Sequence, residues 1–374
     1  MPALPIEKYQ VGVVCALPKE MTAARAILDE EHETIKSQDA LDHNNYVLGR
    51  VHTHNVVIAC LPAGVYGNNA AAIVASNMLR TFTRLRFGLM VGIGGGIPNL
   101  EKGLDIRLGD VVVSQPDKTH GGVVQYDLGK DLGEGKFERK GFLRSPPTIL
   151  LTALATLQSQ HDLDGSQLPT LLSQMIQRHP NLAKTGYVSP GSEKDCLNCA
   201  QCESLERDSS CKLCNHGKIQ REARSDQTPV VHYGIIASGN HLIRNAAERD
   251  RLGCEFGALC VEMEAAGLIN EFPCLVIRGI CDYADSHKND AWQKYAATTA
   301  AAYAKELLSA IAPAKVAEIS PATDVAQKSS ESAEKSRTRV DWRFYSLKLI
   351  YSILNIQSDR LNQPSFLPPS MIKC

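Results

Sequence analysis

Residues 260–285 read CVEMEAAGLINEFPCLVIRGICDYAD. Glu262 and Glu264 flank Met263, and a helix of small apolar residues is expected next. Residues 274–281 (CLVIRGIC) then read as a buried strand that ends on Asp282. A carboxylate leaving the C-terminal end of such a strand stands where open α/β sheets hold their chemistry. Two carboxylate-bearing elements joined by about one helix can converge on a single cleft. The stretch therefore reads as half of an enzyme active site, with the other half expected near the N-terminus.

Residues 11–17 (VGVVCAL) form a continuous apolar run, the pattern of a strand covered on both faces. Pro18 suits a first helical position, so 19–28 is expected as a helix with Glu20 in its first turn. Alone, an acid there does no more than complement the helix dipole. Residues 45–51 and 55–61 flank a tight turn and predict a hairpin. The loop 62–67 (PAGVYG) opens an Ala-rich helix over 69–82. A strand at 87–91 runs into 92–98 (GIGGGIP), which is expected as a ligand loop because so many glycines leave backbone N–H groups open to close approach. The run is neither a P-loop nor a GxGxxG opening a βαβ unit, which excludes nucleotide-triphosphatase and dinucleotide readings.

A strand at 108–115 is followed by a polar, Gly-rich excursion to about 141, two helices at 147–160 and 167–178, and a strand at 230–239. A helix is expected over 240–251, and a long Ala-rich helix over 292–312 closes the domain. This alternation predicts an α/β fold with a mixed central sheet flanked by helices on both faces. From 313 the composition turns to Ala, Pro, Ser, Lys and Glu, so 313–339 is expected as a disordered linker. Residues 340–374 form a tail with helix-forming potential and no catalytic role.

Composition limits the classes of function. The 374 residues are 44% hydrophobic and 22% charged, which suits a globular chain. The balance of 40 basic and 41 acidic residues, a net charge of −1, gives no field directed at nucleic acid or membrane. No apolar run approaches the roughly 18 residues that span a bilayer, and the N-terminus lacks a signal-peptide core. Seven of the 12 cysteines are scattered, which points to buried thiols in a reducing, cytoplasmic compartment.

Taken together and in order, VGVVCALPKEM, LPAGVYG, VGIGGGIP, LGDVVVSQ, the ASGN turn, VEMEAAG and RGICDYAD make residues 9–312 resemble the nucleoside phosphorylase / methylthioadenosine–adenosylhomocysteine nucleosidase superfamily. The closest likeness is to its fungal branch, often found N-terminal to NACHT or ankyrin regions. The resemblance implies the family's three-layer sandwich and cleavage of an N-glycosidic bond through an oxocarbenium-like transition state. By resemblance, Asp282 protonates the purine at N7, for which burial should raise its pKa. Glu264 grips the ribose hydroxyls, Met263 packs on the sugar, and Glu262 and Arg278 give support. Leu242 falls where relatives carry an aromatic that stacks on the base. Gly64, Val65, Gly94 and Gly95 would line the ribose and base cleft. No cofactor is implied for catalysis, and relatives are homo-oligomers.

Substitutions bear on the nucleophile. Where hexameric phosphorylases hold phosphate with Arg and Ser, this chain has Met90 and Ile93, whose side chains bind no anion. The N-terminal loop carries Glu20 where nucleosidases have the carboxylate that activates water. A carboxylate repels phosphate but deprotonates water, so hydrolysis is read in preference to phosphorolysis. The ligand is a small-molecule nucleoside or nucleotide. Lys118, His120 and Lys130 are candidates for a 5′ phosphate, although ordinary solvated charges are the preferred reading. A non-catalytic nucleoside-sensing module of a receptor-like protein is a further alternative. It is disfavoured because Glu20, Glu264 and Asp282 are all present and because receptor segments are missing from this chain.

The remaining five cysteines cluster at Cys196, Cys199, Cys202, Cys211 and Cys214, in an insertion over 190–228. Cys199, Cys202, Cys211 and Cys214 have the spacing of a structural zinc knuckle, in which four thiolates leave no open position for water. An insertion with free thiols stays open as the other reading.

Overall fold

The computed structural model describes residue 2 and residues 4–133, 136–198 and 218–324. In chain order the elements are β1 (Val11–Cys15), α1 (Pro18–Ala26), β2 (Glu30–His32), β3 (Tyr46–Val51), β4 (His54–Cys60), α2 (Asn68–Thr81) and β5 (Phe87–Gly96). Next come β6 (Val111–Ser114), β7 (Val123–Gln125), β8 (Gly129–Asp131), β9 (Phe137–Arg139), α3 (Thr148–Asp164), α4 (Leu168–Arg178) and α5 (Asn181–Lys184). The last are β10 (Val231–Ser238), α6 (Ala246–Phe256), β11 (Ala258–Glu262), α7 (Ala265–Leu268), β12 (Cys274–Asp282), α8 (Gln293–Ser309) and α9 (Pro313–Glu318).

The main sheet has the order β11-β10-β6-β12-β5-β1-β4-β3-β2. β1, β4, β5 and β12 run parallel, while β6 is antiparallel to β12. Helices cover both faces, as expected. Val11, Val13 and Cys15 of β1 pack with α1, α3 and α8 on one side, whereas Val14 packs with α2 and Phe272 on the other. Gly12 and Gly88, paired across β1 and β5, leave room for the Phe272 ring. A Cβ at either would come within 2.7 or 2.1 Å of it.

Five strands close into a ring, because β11 pairs with β5 as well as with β10. Gly95 faces Val261 and Gly96 faces Cys260 in that antiparallel pairing. The glycine run expected as a loop is therefore the continuation of β5. Its missing side chains let the strand bend towards β11 while other side chains crowd against it. This closure carries Glu262, Met263 and Glu264 to the C-terminal ends of β5 and β12.

Three further expectations change. The excursion after β6 contains β7, β8 and β9. The helix expected from 240 starts at Ala246, because the Asn245 side chain accepts the Glu248 N–H at 3.1 Å and caps it there. Residues 239–245 are thus a loop. The chain beyond 312 stays packed: α9 forms, Val316 and Ala322 are fully buried, and the Ala322 N–H donates to Leu85 O. The compact unit extends to Asp324, and later residues, including the tail, lie outside the described residues.

Candidate functional site

The floor of the site is a buried charge cluster. Arg278, on β12, is 1% exposed, and its Nη2 bonds Glu262 and lies 3.4 Å from Glu264 Oε2. Burial disfavours the guanidinium, but the neighbouring carboxylates outweigh it and hold Arg278 firmly charged. Glu262 also accepts the N–H groups of Glu264 and Ala265 at the start of α7 (3.0–3.2 Å). Its lone pairs are thereby committed to structure. Glu264 accepts the Gly67 N–H at 3.3 Å on Oε1 and the longer Arg278 contact on Oε2, and its remaining lone pairs face the cavity. Burial, against the pull of Arg278, pushes the Glu264 carboxyl up to about 7.

Glu20 joins this floor from α1. Its Oε2 accepts the N–H groups of Ala16 and Leu17 at 2.7 and 2.9 Å, and its Oε1 accepts Ile93 N–H at 2.8 Å. The contact to Leu17 is half of a capping box, since leucine offers no acceptor in return. Burial pushes the Glu20 carboxyl up, opposed by Arg278 and the three backbone donors. Gly92 makes the arrangement possible: a Cβ there would come within 2.4 Å of Arg278 Nη1 and 2.6 Å of Glu20 Oε1.

Above the floor opens a cavity of about 410 Å³. Glu20, Gly94, Gly95, Leu242, Met263 and Glu264 of the expected set line it, and so does Glu262. Leu242 is 56% exposed at its edge. Ile93 lines the wall, whereas Met90 is fully buried and accepts from Arg278 Nη2 through Sδ at 3.2 Å.

One expectation needs correction. Gly64 and Val65 are outside the wall, where the loop before α2 contributes Tyr66 instead. Gly64 has φ 79°, a Cβ added there would meet nothing within 4 Å, and Val65 is 51% exposed. Lys118, His120 and Lys130 lie outside the wall too, which fits the preferred reading of solvated charges: the Lys118 side chain is 82% exposed, Lys130 is exposed and the His120 ring packs on Phe256. The cavity takes its basic groups from Lys19, His241, Arg244 and Lys288. Sequence reasoning passed over all four. Lys19 adjoins Glu20 and Lys288 follows Asp282 by six residues, so proximity to the candidate acids was the available signal.

Asp282 ends β12 and is 4% exposed. Its Oδ1 accepts the Ala284 N–H at 2.8 Å, and its Oδ2 accepts from Lys288 Nζ at 2.7 Å and Cys281 Sγ at 2.9 Å. The carboxyl is buried, as expected, and an ammonium is in direct contact with it. Cys281 and Lys288 line the cavity, whereas Asp282 and Arg278 lie behind its wall.

Cys199, Cys202, Cys211 and Cys214 lie outside the described residues. Among the described residues no group of three or more His, Cys, Asp or Glu could hold a metal ion, and no helix is long and apolar enough to cross a membrane.

Residues 201–312 match the model of the phosphorylase superfamily. A nucleotide-binding leucine-rich repeat (NLR)-like protein of Hyaloscypha variabilis is 49% identical over 83% of this chain, which spans 30% of that protein. The ATP nucleosidase Cap17 of Escherichia coli is 26% identical over 78% of this chain and 49% of its own length. The chain thus spans half or less of each of these two relatives. Among solved structures, the methylthioadenosine/S-adenosylhomocysteine nucleosidase of Helicobacter pylori superposes with a TM-score of 0.51 at 18% identity, covering 81% of this chain and 98% of that one. The likeness extends to the mixed sheet with helices on both faces.

Proposed function

We propose, from the premise that this chain carries a domain of the nucleoside phosphorylase / methylthioadenosine–adenosylhomocysteine nucleosidase superfamily, that it hydrolyses the N-glycosidic bond of purine nucleosides or nucleotides. Glu264 accepts the ribose hydroxyls, Met263 packs on the sugar, and Glu20 takes the proton of the water that attacks C1′. Asp282 delivers a proton to the purine as the bond breaks and the electron pair stays on the base. Arg278 and Glu262 support the two working glutamates, and Leu242 covers the base. No resident cofactor enters these steps. Water exclusion and fixed dipoles act where charge develops, as such transition states require.

The charge of the cavity floor supports hydrolysis over phosphorolysis. Three carboxylates, Glu20, Glu262 and Glu264, share one guanidinium, Arg278. A phosphate dianion entering beside them is repelled by each carboxylate that is ionised, whereas water is not. Nucleotides join nucleosides as substrates because His241 and Arg244 are exposed on the cavity wall and can pair with a phosphate tail. The ATP nucleosidase activity named for the Escherichia coli relative agrees with that choice.

Chromatography of a nucleoside and nucleotide panel, incubated with and without phosphate, tests the reading. Base release that is independent of phosphate supports it. Strict phosphate dependence overturns it in favour of a phosphorylase. Tight binding without turnover overturns it in favour of a non-catalytic binding module.

A further inference from the structure

Lys288 is a group in the cavity wall that the scheme above leaves without a task. The turn after β12 brings it there. Ala284 takes a left-handed conformation, φ 50°, costing about 1–2 kcal/mol for a residue with a Cβ. Asp285 O then accepts the Lys288 N–H at 3.3 Å, and Asp285 Oδ1 accepts the His287 N–H at 2.9 Å. The chain folds back on the end of β12, and Nζ reaches Asp282 Oδ2 at 2.7 Å. The Lys288 side chain is 18% exposed and that of Asp282 3%.

Among the described residues, each hydrogen-bond partner of the Asp282 carboxylate donates to it: Ala284 through its backbone N–H, Lys288 through its ammonium and Cys281 through its thiol. The carboxylate is arranged as an acceptor, yet the departing base needs a proton. Of the two side-chain donors, the Cys281 thiol is held well above its ordinary range by burial and by Asp282. The ammonium is the charged donor and faces the cavity.

We infer that the proton delivered to the leaving base resides on Lys288, and that the Lys288–Asp282 pair, not Asp282 alone, is the donating unit. This rests on the N-glycosidase reading. As the C1′–N bond breaks, its electron pair goes to the base. Asp282 passes a proton to the base and takes one from the Lys288 ammonium, which is left as the neutral amine. The water that adds to C1′ loses a proton on the Glu20 side, and that proton returns through solvent to Lys288. The net reaction consumes one water. Lys288 is thus a positioning and proton-supplying residue acting through Asp282. The charged groups around it are Asp282 and Arg244, with Asp290 on its own loop and Glu20 and Glu264 elsewhere in the cavity wall. Burial opposes its charge, but Asp282 outweighs burial and holds the amine above its ordinary value, so it is protonated across the neutral range.

The test is base release as a function of pH for wild type, Lys288→Met, Lys288→Arg and Asp282→Asn. Lys288→Met is expected to lower kcat by about 10–100-fold, with KM changed less than about threefold. Lys288→Arg keeps the charge and the hydrogen bond but has no transferable proton, and it is expected not to restore kcat. The alkaline limb of the kcat profile is expected to be lost in both. Wild-type kcat in Lys288→Met overturns the inference, and so does full rescue with an unchanged pH profile in Lys288→Arg. If Lys288→Met does not fold, as judged by thermal melting, Lys288→Arg decides. Release in wild type that is lost in Asp282→Asn but kept in both Lys288 variants overturns the role of Lys288 alone. Absence of release from any substrate by wild type overturns the N-glycosidase reading, and the inference with it.

Discussion

Glu20 in the first turn of α1 accepts the backbone N–H of Ile93 on β5 at 2.8 Å, across 73 residues of chain. With the N–H groups of Ala16 and Leu17 on its other oxygen, it takes three backbone donors and keeps one lone pair, on Oε1, for a water. A glutamine there offers one acceptor oxygen and turns an NH2 towards at least one of these donors. Glu20→Gln is expected to reduce base release by about 10²–10⁴-fold and to lower stability by about 1–3 kcal/mol. Steady-state assays and denaturant titration measure the two effects, and wild-type turnover in this variant would exclude Glu20 as the base.

The Glu264 carboxyl, pushed by burial up to about 7, must be ionised to accept two ribose hydroxyls. The kcat/KM for a nucleoside is expected to rise from pH 5 to 8 with an acid limb near 7, and Glu264→Gln is expected to be slow and to lack that limb. The stability effect has the opposite sense. The folded carboxyl keeps its proton above the unfolded value of 4.5, so its contribution favours the folded state at low pH and is lost as pH rises from about 4.5 to 7. The stability of wild type relative to Glu264→Gln should decline through that window, and a flat difference would show that the group is not perturbed.

Removing Arg278 leaves Glu20, Glu262 and Glu264 buried without their shared cation. Arg278→Met is expected to lose about 3–5 kcal/mol. The loss should be smaller at pH 5 than at pH 8, because the carboxylates can take up protons once the guanidinium is gone. Guanidinium chloride titrations at the two pH values check the sign, and an equal loss at both would show that the cluster is not electrostatically coupled.

Gly92 and Gly64 make opposite predictions from one type of substitution. Gly92→Ala drives a Cβ into Arg278 and Glu20 and should cost about 1–3 kcal/mol together with most of the activity. Gly64→Ala meets no atom within 4 Å and only the strain of φ 79°, about 1 kcal/mol, with kcat/KM unchanged. A loss of kcat/KM in Gly64→Ala would return that loop to the ribose cleft, as the sequence alone had suggested.

How far the site was legible can be traced residue by residue. Glu20, Glu264 and Asp282 sit at or within five residues of the ends of strongly patterned strands, and the apolar runs locate those strands. The glycines of β5 read as a loop in the sequence, because a run of glycines carries no information on which side chains will crowd it. Leu242 was given to a helix because Asn245, the residue that caps α6, lies five positions after the expected helix start at Asn240.

By itself, the sequence determined the alternation of strands and helices, the acids at the strand ends and the absence of anion-binding side chains at Met90 and Ile93. Each of these depends on local pattern or residue chemistry. Only the tertiary structure decided that Glu20, Glu262 and Glu264 share Arg278, that Tyr66 rather than Val65 faces the cavity, and that Lys288 covers Asp282. Those relations depend on the closure of β11 onto β5 and on the reversal of the chain at Ala284. Both are set by non-local pairing and by one strained backbone angle, neither of which leaves a periodic trace in the sequence.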